Sequence, residues 1–324
     1  MNWQAAQPVW ASLAPVFLLI GVGVLAGRMG WVRQEAVKDL SNLTFMLLIP
    51  ALLFRTMSTV HVEQLDLRPI AAYFPAALGL FAVLVGVFGF HARGVVMALG
   101  GIFSNMVMIG ITLVELAYGK AGLVTLLTLV AVHALILLTV STVVLELAVA
   151  RERGAPTHAG TGRLPSLLRA AGRALRGAVL HPIPLPIMAG LLFAQTGWTM
   201  PAVMDKPLAL LGNAFGPLSL VLVGVTLARS PLGEHWRDAL VISLCKNVAL
   251  PVLVGGLAWF SGIQGLPWVV MVVAAALPMG ANVFLFSQRY NVAHELVTAG
   301  IGLSTLLALV TLSLTMLMAG WLAG

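Results

Sequence analysis

Charge is what this 324-residue chain has least of: Asp, Glu, Lys and Arg together fill 9% of its positions. Soluble domains carry roughly 25%, so a fold wetted on every side is excluded. Cysteine is nearly absent too. Cys245 stands alone, which rules out an intramolecular disulfide and a cysteine-type metal cluster. Motifs for intramembrane chemistry are also missing: there is no His-Glu-x-x-His, no Asp-rich prenyl-transfer motif and no Gly-x-Ser-Gly. An enzyme is therefore not expected, and no catalytic residue, metal ligand or cofactor site is predicted. No basic stretch precedes the first apolar run, so that run is expected to stay in the mature protein rather than leave as a signal peptide.

What the chain has in quantity is apolar length. Hydrophobic residues make up 60% of it and the mean hydropathy is +1.01. Windows of roughly 20 apolar residues, enough to cross a bilayer as a helix, predict ten spans. They are 8–27, 40–57, 69–90, 95–118 and 121–149, then 178–197, 207–228, 239–261, 267–290 and 293–322. The runs are continuous rather than alternating, which excludes a β-barrel. The expected fold class is an all-α membrane protein with ten transmembrane helices, its partner the lipid bilayer. The net charge of +7 does not point to nucleic acid, because the basic residues lie between apolar runs rather than on one amphipathic face.

Those basic residues predict orientation. With the N-terminus outside, thirteen Lys or Arg fall in inner loops and four, Arg55, Arg68, Lys120 and Lys206, fall outside. Lys and Arg concentrate on the cytoplasmic side of membrane proteins, so both termini are expected outside, periplasmic in a bacterial inner membrane. The hydrophilic stretch 151–177 becomes a basic cytoplasmic linker between residues 1–150 and 178–324. Each part holds five spans, and an odd number forces the two to be inverted repeats, an arrangement common in secondary transporters.

Two spans look interrupted. The fourth carries Gly100-Gly101, Ser104-Asn105-Met106 and Gly110; the ninth carries Pro278-Met279-Gly280 and Asn282. Glycine and proline weaken helices, and matched mid-depth breaks in inverted halves predict a pair of crossed, discontinuous helices. The second half-helices, expected to start at Met106 and Met279, would present free N–H groups and positive dipole ends to an anion. Lys246 lies roughly 13 Å inside the eighth span at about 1.5 Å per residue. It is open to two jobs, holding a substrate carboxylate or bracing the crossing by bonding freed carbonyls. His133, near mid-depth, is either a proton-coupling group or a neutral core histidine.

The order and spacing of these features resemble the auxin efflux carrier family, over nearly the whole chain. The resemblance rests on Asn42 with Pro50-Ala-Leu-Leu-Phe54, on Ser104-Asn-Met-Val-Met-Ile-Gly-Ile-Thr-Leu113, and on His181-Pro182. Lys246 five residues before Pro251, Pro278, and Ser304-Thr305 complete it. It implies a ten-span inverted-repeat fold shared with bile-acid and sodium/proton carriers, crossed helices four and nine, a carboxylate site at the crossing and a homodimer. The substrate would be a small organic anion, an auxin-like monocarboxylate or a dicarboxylate such as malonate or malate, moved by an elevator-type cycle. Asn105 would carry the family's substrate-contacting asparagine, with Ser104, Met106, Pro278, Met279, Asn282 and Lys246 around it. Thr112 departs from the family pattern, which has proline there. A sodium- or proton-coupled carrier of another substrate class is the alternative on the same fold.

Overall fold

The computed structural model describes residues 3–60, 63, 65–152, 183–228 and 233–323. The predicted linker 151–177 falls outside the described residues beyond Glu152, as do His181 and Pro182. The described chain is helical: α1 Trp3–Arg28, α2 Gln34–Leu43, α3 Ile49–Met57, α4 Arg68–Phe88, α5 Ala92–Gly100 and α6 Ile111–Glu152. It continues with α7 Pro184–Gln195, α8 Ala202–Leu227, α9 Trp236–Leu244, α10 Leu250–Phe260, α11 Gly265–Ala276, α12 Asn282–Tyr290 and α13 His294–Ala323. Among the described residues seven helical stretches are long and apolar enough to cross a membrane, and α7 and α11 are shorter apolar helices. This is a multi-pass membrane protein.

The predicted fourth and fifth spans differ from expectation in one respect. They run as a single stretch, 106–152, bent at Gly119, whose φ of 61° and ψ of −158° are not helical. Only glycine reaches such angles without strain. The kink turns the chain without the loop that a clean boundary would have shown.

Three wide, five-residue π-turns interrupt otherwise α-helical spans, at Thr44–Leu48, Met106–Gly110 and Cys245–Ala249. Two have an evident local cause. Pro50 and Pro251 sit at the start of the helix that follows. Proline lacks an N–H and its ring presses on the carbonyl four residues back, and a turn closed by i→i+5 bonds relieves both. The third turn ends at the same register before Thr112, where no proline stands.

The helices pack in two groups. In one, α1 lies along α8, and α3 packs on α7 and α8. Close approach makes the first contact rigid: a Cβ on Gly23 would strike the backbone of Val221, and one on Gly224 that of Ile20. In the other group α4 packs on α5 and α10, α9 on α13, and α11 on α10 and α13. The long α6 touches both groups, reaching α1 as well as α5 and α11.

The candidate transport site at the crossing

Helices α5 and α11 each stop in mid-molecule, and the extended segments after them meet. Ser104 pairs antiparallel with Met279. The Asn105 N–H donates to the Pro278 carbonyl at 2.9 Å, and the Gly280 N–H donates to the Phe103 carbonyl at 2.9 Å. Backbone in hydrocarbon must find partners within the protein, and here each break supplies partners for the other. Pro278 explains the second break locally. The residue before proline avoids the helical region, and Leu277 is extended at ψ 150°.

The restart differs between the two. After the first break Asn105 caps the new helix, its Oδ1 accepting the Met108 N–H at 3.2 Å. That leaves the Asn105 Nδ2 amide, and the N–H groups of Met106 and Val107 at the helix start, for a ligand. After the second, the helix restarts at Asn282 rather than at Met279. Met279 remains in the extended pairing, and its N–H donates to Ser304 Oγ at 3.0 Å. The expected anion-binding start at Met279 therefore moves to Ala281 and Asn282, because the extension imposed by Pro278 carries on through the crossing.

Lys246 is completely buried. Its Nζ donates to the carbonyls of Ala275 at 2.5 Å and Leu277 at 2.7 Å. In an unbroken helix the Ala275 carbonyl would accept from the N–H four residues on, at Met279, which Ser304 has taken. Of the two jobs open to Lys246, the structure places it in the second, bracing the carbonyl end of α11.

A small cavity opens beside the crossing, with about 50 Å³ of room for the centres of water molecules. Ser104, Asn105, Met106, Asn282 and His133 line it, with Phe103, Gly280 and Ala281. Lys246, Pro278 and Met279 do not; they lie behind it as its support. The wall contains no carboxylate. His133 is 4% exposed, its ring set edge-on to Phe103 with centroids 4.5 Å apart. Two residues not singled out in sequence complete the frame. Tyr73 of α4 shares a 3.1 Å hydrogen bond with Ser104 Oγ, and Ser219 of α8 donates to the Met108 carbonyl at 2.9 Å. A hydroxyl deep in an apolar span is the signal that could have found Tyr73, since such groups in membranes have partners. Among the described residues no cluster of side chains could hold a metal ion.

Crossed broken helices around a buried, carboxylate-free cavity define a membrane transporter rather than a receptor or a structural membrane protein. A membrane transport protein family model matches residues 8–316, and the chain belongs to this family, that of the auxin efflux carriers. Its relatives include a Rhizobium meliloti protein named as a malonate transporter, 28% identical over 309 residues, which are 92% of either chain. Auxin efflux carrier component 8 of Arabidopsis thaliana is 22% identical, covering 96% of this chain and 97% of that one. The Escherichia coli K12 transporter YfdV is 24% identical, covering 93% of this chain and 94% of its own.

Proposed function

We propose that the chain is a secondary carrier of small organic anions that holds the substrate carboxylate at the crossing. The observation behind this reading is the cavity wall. Two helix starts, each worth about half a positive charge, face it together with Asn105 and Asn282, and no acidic side chain does. Such a wall favours an anion and disfavours a bare cation, which would need carboxylates. The malonate-transporter name of one relative and the auxin-carrier name of another agree with a carboxylate substrate. Binding of malonate to the purified protein tests the site. Losing a hydrogen bond to a charged group typically costs about 1.5–3 kcal/mol, so Asn105→Ala should weaken binding roughly ten- to a hundredfold. Unchanged affinity in folded Asn105→Ala protein would place the anion elsewhere.

The cycle we propose is elevator-like, on ten spans in two inverted halves. Spans three to five and eight to ten would carry the crossing against spans one, two, six and seven. Its support is the packing in two groups and the Lys/Arg asymmetry for orientation. Single and paired thiols in a Cys245→Ser background test both parts. Gln264→Cys should react with an impermeant reagent from outside the cell. A Cβ on Gly216 of α8 would lie 3.6 Å from the Thr112 Cβ of α6, inside the usual disulfide range of about 3.5–4.5 Å. Oxidised Thr112→Cys/Gly216→Cys protein should stop transport, and undiminished transport would rule out this relative motion.

A further inference from the structure

His133 belongs to the cavity wall but not to the backbone crossing. It comes from the far part of α6, beyond the Gly119 kink, and reaches the wall opposite the helix starts only because that helix folds back. Its Nε2 is buried and has no hydrogen-bond partner among the described residues. The groups with ring contacts to it, Phe103, Tyr73 and Phe74, are aromatic and none is a carboxylate. A buried polar nitrogen without a partner is costly, and such groups call for an explanation. The other buried polar groups of the crossing are satisfied: Ser104 by Tyr73, the Met279 N–H by Ser304, Lys246 by two carbonyls. Thus the helix starts and Asn105 supply donors at one side of the cavity, and an unsatisfied imidazole waits at the other.

The cavity also limits size. Its 50 Å³ of room for water centres corresponds to about three to five waters at 10–15 Å³ each. A short aliphatic acid fits that space; an indole-ring acid is far larger. We infer that His133 is the specificity residue of this carrier, bonding a second polar group of a short-chain substrate whose carboxylate sits at the crossing. The substrate class is then the short dicarboxylates and their hydroxylated relatives. This rests on the anion site proposed above and deepens it. The selection works through desolvation. A polar site rejects an analogue that lacks the matching group because the site's own buried atom is left unpaired, whereas an extra methylene discriminates weakly.

The experiment measures binding of malonate, propionate and indole-3-acetate to purified wild-type, His133→Leu, His133→Gln and Asn105→Ala proteins at one fixed pH. The wild type should prefer malonate to propionate and bind indole-3-acetate weakest. His133→Leu should weaken malonate about ten- to a hundredfold while leaving propionate unchanged, so that the preference collapses, and His133→Gln should restore part of it. Asn105→Ala should weaken both aliphatic acids alike. If Asn105→Ala changes neither, the anion-site reading fails. If it weakens both but the malonate-to-propionate ratio is the same in His133→Leu as in the wild type, only the present inference fails. Should His133→Leu not fold, the wild-type panel still decides: equal affinity for propionate and malonate, or tightest binding of indole-3-acetate, overturns it.

Discussion

The two breaks that meet at the crossing do the same job with different chemistry. The first is supported by neutral groups: the Asn105 side chain caps the restarted helix, and Tyr73 holds Ser104 at 3.1 Å. The second is supported by a cation and a hydroxyl: Lys246 covers two carbonyls at the end of α11, and Ser304 takes the Met279 N–H. The difference follows from what each sequence offers. Around the first break the chain folds back on itself, with the Ile102 and Phe103 N–H groups both returning to the Leu99 carbonyl. At the second, Pro278 contributes no N–H and forces extension, so carbonyls are left over and only an outside donor can satisfy them. One break is closed from within, the other from its neighbours. The ligand-facing polar groups gather at the restart of the first break and the start of α12, away from the lysine.

Removing the outside donor should therefore have the largest effect. Lys246→Met leaves the Ala275 and Leu277 carbonyls bare at a site with no water access. Hydrogen bonds from charged groups contribute about 1.5–3 kcal/mol each, so the loss should reach about 3 kcal/mol or more. The expected outcome is poor expression and a large drop in the thermal midpoint in detergent. Protein that survives should keep its ligand preferences. Normal stability with lost malonate binding would instead put the ammonium on the substrate and undo the division of labour between the breaks.

A smaller effect separates the hydroxyls. Ser304→Ala strips the acceptor from a buried backbone N–H, which typically costs about 1–3 kcal/mol. Tyr73→Phe removes one side of a bond between two neutral hydroxyls, worth about 1 kcal/mol. Thermal unfolding should therefore rank Ser304→Ala as the more damaging. The reverse order would mean that the first break leans on α4 more heavily than the second leans on α13.

Much of this site was legible in the chain before any coordinates. Lys246 stood out because a lysine so deep in an apolar run needs a partner, and Asn105 and Pro278 because they interrupt runs at matched depth. What was not legible was set by partners distant in sequence. Whether Lys246 would meet a substrate or a carbonyl depended on how α11 ended, 29 residues away at Ala275. That the Met279 N–H would be spent on Ser304, 25 residues on, could not be read from Pro-Met-Gly alone. The Tyr73–Ser104 pair spans 31 residues and two helices. The expected extents of the spans suffered for a local reason, since Gly119 lets two apolar runs join with no polar loop between them.

The three π-turns allow a finer test of how far local chemistry dictates the break. Pro50 and Pro251 each stand two residues after such a turn, and Thr112 occupies that register after Met106–Gly110. In each case the carbonyl facing the ring position belongs to the third residue of the turn, here Met108. The Ser219 hydroxyl already donates to that carbonyl at 2.9 Å, while Thr112 Oγ1 is buried without a partner. Proline inside a regular helix costs about 3 kcal/mol or more. At a turn already widened to i→i+5, with its orphan carbonyl satisfied from α8, most of that cost is absent. Thr112→Pro should therefore lie within about 1 kcal/mol of the wild type, with Asn105-dependent malonate binding intact. A loss near the full helix-interior value, read as a shift in thermal midpoint, would mean that the third turn is held open by Asn105 and the crossing rather than by its own register. The glycines and the cap at Asn105 would then be the cause of the break, and the resemblance to the two proline-led turns only a coincidence of spacing.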